Sequence, residues 1–187
     1  MIEELLKHIP DKTENNTTTS HKFKRELYEF FKEFSNETVV ELGTHRGQTT
    51  RILSHIFKKV YTINQSSDGY AEELNKDRTN IEYIVADLYK DNWWEKIPTA
   101  DVFFIDAQHT YDAVLYDIEK CLSIQSPAKK YIIFDDYGLL EPVRSAINTA
   151  LLSGQLIKVK EIGHPAGTRI TPEHYFSASE GLICMEA

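Results

Sequence analysis

From Thr38 onward the chain alternates short β-branched or aromatic runs with stretches of helical periodicity. TVVEL, KVYTIN, IEYIVAD, DVFFID and YIIFDD are the runs. Helical patterns over Gln48–Phe57, Tyr70–Lys76 and Tyr111–Leu122 lie among them, and Pro142–Leu152 follows the fifth. LIKVKEI and GLICME then close the chain as strands. Strands joined through helices pair in parallel, with helices packed on both faces. The expected class is therefore α/β, a doubly wound and mostly parallel sheet.

The ends of those strands carry the second constraint. They read Glu41-Leu42-Gly43, Asn64, Asp87, Asp106 and Asp135-Asp136. Residues that only turned the chain or capped helices would be spread over both edges of a sheet. Gathered at the carboxyl ends, they mark the edge where an open parallel sheet binds ligands, beside the point where strand order reverses. One shared polar site is predicted.

Ahead of the sheet, Ile2, Leu5, Leu6 and Ile9 share one helical face, and Pro10 is expected to end that helix. Residues 11–20 form a polar linker closing on Ser20, a good N-cap. Phe23, Leu27, Phe30, Phe31 and Phe34 follow at helical spacing and read as core. Residues 1–36 are thus N-terminal helices and linker, and 37–187 the main domain. At 187 residues the chain makes one globular unit. A net charge of −8 argues against a general nucleic-acid binder, which needs a basic face. Cys121 and Cys184 offer no zinc or CxxC spacing and read as buried thiols of a reducing compartment. No basic start leads into an apolar run, and no apolar run approaches the ~20 residues of a membrane span. A cytoplasmic protein is expected.

After the first strand comes ELGTHRGQTTRIL, in which Gly43 and Gly47 bracket a turn into a helix. Dinucleotide binding would need G-x-G-x-x-G, and the residue two past Gly43 is His45, so a nicotinamide dehydrogenase is disfavoured. The pattern E-x-G-x-x-x-G followed by Thr-Thr looks like the first motif of class I S-adenosylmethionine-dependent methyltransferases. Together with FFIDAQHTYDAVLYDI and YIIFDDYG it resembles the small-molecule O-methyltransferase branch that includes macrocin-type sugar methyltransferases. The resemblance spans Thr38 to about Ala150. It implies a seven-stranded sheet whose last strand runs antiparallel. It also implies S-adenosylmethionine as cofactor, with Glu41, Gly43, Thr44 and Gly47 cradling its methionine part. Asn64 stands where an acid normally meets the ribose, with Asp68 a potential substitute. Asp87 would reach the adenine amino group, and Asp106 would lie between cofactor and metal. Trp93-Trp94 reads as packing before adenine stacking.

Asp106, Asp135 and Asp136 end neighbouring strands in this arrangement. Like charges ~4 Å apart repel by roughly 4 kcal/mol at an effective dielectric near 20, so protons or a cation must sit among them. Oxygen ligands favour magnesium, calcium or manganese, and the resemblance also implies a metal at these positions; magnesium is expected. His109, in D-x-x-H, is the expected general base, although Gln108 stands where some relatives carry an acid. Arg46 could pair with the cofactor carboxylate or lie in solvent. His164 and His174 fall in a long connector, 163–181, and the linker 11–20 could order over the site. The expected function is methyl transfer to a hydroxyl of a small molecule or saccharide, without nucleic acid or membrane, and a homodimer is left open. The competing readings are a non-catalytic cofactor-binding domain and a metal-dependent hydrolase.

Overall fold

The computed structural model describes residues 1–14, 18–67, 69–171 and 174–187, and the side chains of 167–177 are outside that description. The five runs become β1 (Thr38–Leu42), β2 (Lys59–Asn64), β3 (Ile81–Val85), β4 (Val102–Ile105) and β5 (Tyr131–Phe134). The helices are α1 (Ile2–Leu6), α2 (His21–Phe31), α3 (Gln48–Ile56), α4 (Tyr70–Leu74), α5 (Tyr111–Ser123) and α6 (Glu141–Leu152). β6 (Leu156–Thr171) and β7 (His174–Glu186) complete a seven-stranded sheet of order β3-β2-β1-β4-β5-β7-β6. The first five strands pair in parallel, and β7 runs antiparallel to both β5 and β6.

Both sheet faces are covered, which is why the strands read as unbroken apolar runs rather than alternating ones. Val40, Leu42, Phe103, Ile105, Ile132 and Phe134 pack on one side with Val114 and Ile118 of α5 and Val143 and Ile147 of α6. Val39, Val60, Val102, Phe104 and Ile133 pack on the other with Phe23, Leu27 and Phe31 of α2 and Ile52, Leu53 and Ile56 of α3. The aromatic stripe of α2 is core: Phe23, Leu27 and Phe31 are fully buried, each contributing ~1.5–3 kcal/mol. The Ser20 hydroxyl accepts the Phe23 N–H at 3.0 Å, which fixes where α2 starts. α1 ends earlier than expected, at Leu6, but Leu5, Leu6 and Ile9 are buried against the α2 layer. α1, Ile9 and α2 are therefore part of one helical layer of the sheet.

The connector 163–181 is corrected most. It is mostly strand: β6 and β7 stay paired from Pro165↔Ser179 to Thr171↔His174, a two-stranded ribbon running beyond the sheet. Gly163, Pro165 and Gly167 hide the strand pattern, yet an edge strand tolerates a proline whose missing N–H no neighbour needs. Cys121 and Cys184 are free, buried thiols. Among the described residues no helix is long and apolar enough to cross a membrane.

Strand order reverses between β1 and β4, and the register there sets the geometry of the site. Leu42 pairs with Ile105, and Ile105 with Phe134. The next residues, Gly43, Asp106 and Asp135, consequently form a row across the carboxyl edge.

Candidate active site

A cavity of about 480 Å³ opens over that row, within the range that encloses small-molecule ligands and cofactors. Every one of the five parallel strands lines it through the residues just past or at its end. Gly43 and His45 follow β1, Asn64 and Gln65 come from β2, and Ala86 to Tyr89 follow β3. Asp106 to His109 follow β4, and Asp135 and Asp136 follow β5. Of the expected site residues, the structure thus brings together Gly43, Asn64, Asp87, Asp106, His109, Asp135 and Asp136.

The β1–α3 loop lies flat on the strand edge. Gly43 has φ +100°, and a Cβ there would stand 1.9 Å from the Asp106 carbonyl oxygen. Its N–H donates to the Ile63 carbonyl at 3.0 Å. Only glycine allows this approach. Gly47, at φ +74°, caps α3 and packs on α4, where a Cβ would lie 2.8 Å from that of Ala71. It braces the loop and does not line the cavity.

Glu41 and Thr44 are likewise placed differently from expectation. Glu41 is 1% exposed and lies beneath the loop, its Oε2 accepting hydroxyls of Thr50 and Thr62 at 2.5 Å each. The Thr44 and Thr62 hydroxyls are bonded at 2.6 Å, so the chain of contacts ties loop, α3 and β2 together. The reason is the pleat: in β1 the side chain of Glu41 points into the layer rather than along the strand. Burial pushes its carboxyl up to about 8, against the two threonine hydroxyls, so it is neutral near pH 7. The folded chain then keeps a proton that the unfolded chain releases at its ordinary 4.5. That contribution to stability is complete below 4.5 and is lost as pH climbs through about 8. Glu41→Gln, which cannot ionise, should melt close to wild type at roughly pH 4, with the gap widening to several degrees in its favour by roughly pH 8. Thermal melts across pH test this; parallel curves would show that folding does not raise the Glu41 carboxyl.

At the far wall Asp87 is held by its own turn. Its carboxylate accepts the Tyr89 N–H at 3.0 Å and the Lys90 ammonium at 2.8 Å. Lys90 chiefly holds this carboxyl below its ordinary value. The Asn64 amide donates to the Ser66 carbonyl at 2.7 Å, and its suggested substitute, Asp68, lies outside the described residues. Trp93 is buried with its indole N–H on the Leu88 carbonyl at 3.2 Å, and Trp94 packs under Lys120. Both are packing residues. Arg46 sits over the Tyr70 ring, 5.7 Å from its centroid, away from the cavity lining. His164 is exposed, and the side chain of His174 is outside the described residues.

The acidic end differs most from the sequence reading. His109 Nε2 lies 3.4 Å from Asp106 Oδ1 and 3.4 Å from Asp136 Oδ2. Its hydrogen bond to Asp106, aided by the charge of Asp136, holds the imidazole above its ordinary 6.5. Asp136 takes φ +58°, a conformation aspartate tolerates, and this turns its carboxylate toward His109. Asp135 is 6% exposed, with Oδ1 lacking a hydrogen-bond partner among the described residues. Burial, then the charges of Asp106 and Asp136, push its carboxyl well up.

Among the described residues, the groups whose ligand atoms could share one ion are Asp106, His109 and Asp136, within 4.8 Å of one another. The expected oxygen-only set of Asp106, Asp135 and Asp136 is not what the fold assembles. A histidine nitrogen in the set moves it away from magnesium. A cation is already present: the Lys12 ammonium lies 3.6 Å from Asp136 Oδ1 and 3.2 Å from Glu180 Oε1. The magnesium expectation does not fit this donor set.

Lys12, Thr18, Glu180 and Tyr89 were not foreseen as site residues. Lys12 and Thr18 come from the polar linker that could order over the site, though no residue in it stood out, and Glu180 from the apparent connector. Tyr89 lines the cavity while its hydroxyl contacts the buried Asp117 at 3.2 Å and the Gln108 N–H at 3.3 Å. A tyrosine four residues past a strand carries no pattern that could have marked it.

Comparison with known proteins agrees with this geometry. An O-methyltransferase from Bacillus cereus, solved with SAH, superposes with a TM-score of 0.69 at 16% identity, over 100% of this chain and 90% of that one. The O-methyltransferase TomG from Streptomyces achromogenes, solved with SAM, gives 0.69 at 14% identity, over 99% and 89%. A precorrin 8w decarboxylase from Methanobacterium thermoautotrophicum gives 0.66 at 15% identity, over 96% of each. At these identities the likeness shows a shared fold. No curated protein matches the chain by sequence. Residues 40–137, from β1 through the paired aspartates, match the model of a family described as a methyltransferase domain. The chain belongs to that methyltransferase domain family.

Proposed function

We propose that the protein is an S-adenosylmethionine-dependent methyltransferase acting on an acceptor hydroxyl. The observation that carries this reading is the cavity at the strand-order reversal, lined from all five parallel strands and bounded by the Gly43 loop. Membership of the family supports methyl transfer. The two O-methyltransferases of like fold, solved with SAM or SAH, support the donor. Residues at the site suit it: Asp87 and Asp106 line the cavity, Asp87 where the adenine amino group would lie and Asp106 at the end that would receive the cationic sulfonium. The donor supplies an activated methyl, which passes to the acceptor oxygen as the carbon–sulfur bond breaks toward sulfur.

The chain's own tasks are to align the acceptor and to accept one proton. Alignment has the larger potential effect, ~7–11 kcal/mol in favourable cases. The hydroxyl proton passes to His109, whose imidazolium is stabilised by Asp106 and Asp136, the logic of a base oriented by a carboxylate. The net charge of −8 favours a small molecule or saccharide over nucleic acid. The resemblance to macrocin-type enzymes points the same way. A reducing, cytoplasmic setting suits the two free thiols.

Calorimetry with SAM and SAH tests the donor, and a panel of hydroxyl acceptors with labelled donor tests the transfer. Binding is expected for wild type and at least about tenfold weaker for Asp87→Ala, the loss of a good polar contact. No heat from either ligand would overturn the reading. Unchanged affinity in the variant would refute the place given to Asp87. Donor binding without transfer to any acceptor would leave a non-catalytic binding domain.

A further inference from the structure

The segment before α2 is fastened beside the site by a set of side-chain contacts to β7 and α2. Glu180, 2% exposed on β7, accepts the Ser20 N–H at 2.9 Å, the Ser20 hydroxyl at 2.6 Å and the Lys12 ammonium at 3.2 Å. Asp11 accepts the His21 N–H at 2.6 Å, pinning the segment beside Lys12. The amine of Lys24, itself fully buried, donates to the hydroxyls of Thr18 and Thr19 at 3.0 and 2.7 Å and to the Thr19 carbonyl. The outcome is that Lys12 and Thr18 line the cavity.

Lys12 enters where negative charge is densest. Asp136 is 3.6 Å away, and Asp135 presents a buried oxygen with no hydrogen-bond partner among the described residues. A divalent ion would need a carboxylate oxygen within ~2.0–2.6 Å. An ammonium already beside Asp136 would be repelled by it and would have to leave.

We propose that Lys12 is the resident counter-cation of this active site, a positioning residue that takes the place of a divalent metal among Asp135, Asp136 and Glu180. It offsets the charge of Asp136, one of the two carboxylates that flank His109, and keeps that carboxylate from closing on a metal. Its part in catalysis rests on the methyltransferase reading. Its exclusion of metal does not, and can be measured without the methyl donor.

The test is titration of manganese alone into the full-length wild type and its Lys12→Gln, Lys12→Ala and Lys12→Arg variants, followed by calorimetry. Lys12→Gln and Lys12→Ala should bind manganese at least about tenfold more tightly than wild type, and Lys12→Arg should match wild type. Lys12 lies on a partly exposed turn, so either neutral variant is expected to melt within a few degrees of wild type, and one folded variant suffices. Equal manganese affinity in wild type and a folded neutral variant would overturn the proposal. So would tight binding by wild type itself. SAH titrated into the same samples separates the two readings: its failure to bind wild type would count against the methyltransferase reading and leave the metal result standing.

Discussion

Gly43→Ala should unfold the protein by roughly 5–20 °C lower in melting temperature and lose donor binding beyond detection. The added Cβ meets the Asp106 carbonyl oxygen at 1.9 Å and its carbon at 2.7 Å. Backbone cannot rotate away as a side chain would. The φ of +100° adds about 1–3 kcal/mol of strain, and the overlap about 1–3 kcal/mol more. Each kcal/mol moves the melting temperature by ~2–4 °C at this size. Relief of the clash must push the loop off the strand edge, and the loop is one wall of the cavity. Gly69 provides the control: its φ is +80° but nothing lies within 4 Å of a Cβ. Gly69→Ala therefore carries the strain without the overlap and should cost only ~1 kcal/mol or slightly more. Equal losses in the two variants would show that the close approach to Asp106 carries no energy.

His109→Ala should lower kcat by about 10²–10⁴-fold, the usual share of a positioned general base, while leaving SAH affinity within about twofold. The pH profile gives an independent readout. Asp106 and Asp136 hold the imidazole protonated to above its ordinary 6.5. Since only neutral imidazole can accept the acceptor's proton, kcat/KM should rise with pH and reach its midpoint above 6.5. Asp106→Asn removes the principal cause of that shift and should move the midpoint down. A variant that keeps near-normal kcat, or a midpoint unmoved by Asp106→Asn, would place the proton elsewhere.

Which parts of this were legible in the residues follows from the range over which each signal acts. Ser20 as a helix cap, the stripe of Phe23, Leu27 and Phe31, and the five strands depend on neighbours a few positions away. Periodicity and capping report such neighbours directly. The polar strand ends were legible too, because a parallel sheet has one ligand-binding edge whatever its pairing order. Glu41 was misplaced because the motif names the residue but not the direction of the pleat. In the 163–181 segment, glycines and a proline masked a ribbon held by cross-strand partners.

The residues alone determined the α/β class, the methyltransferase motifs and the gathering of Gly43, Asn64, Asp87, Asp106 and Asp135 at one edge. Local periodicity and the handed rules of parallel sheets suffice for that. Only the tertiary structure decided what answers the doubled aspartate. His109 lies near it in the chain, but Lys12 reaches it from the opposite end of the chain, held there by Glu180 of the last strand. Charge neutralisation in a buried cluster depends on distance in space, and no pattern along the chain records that distance.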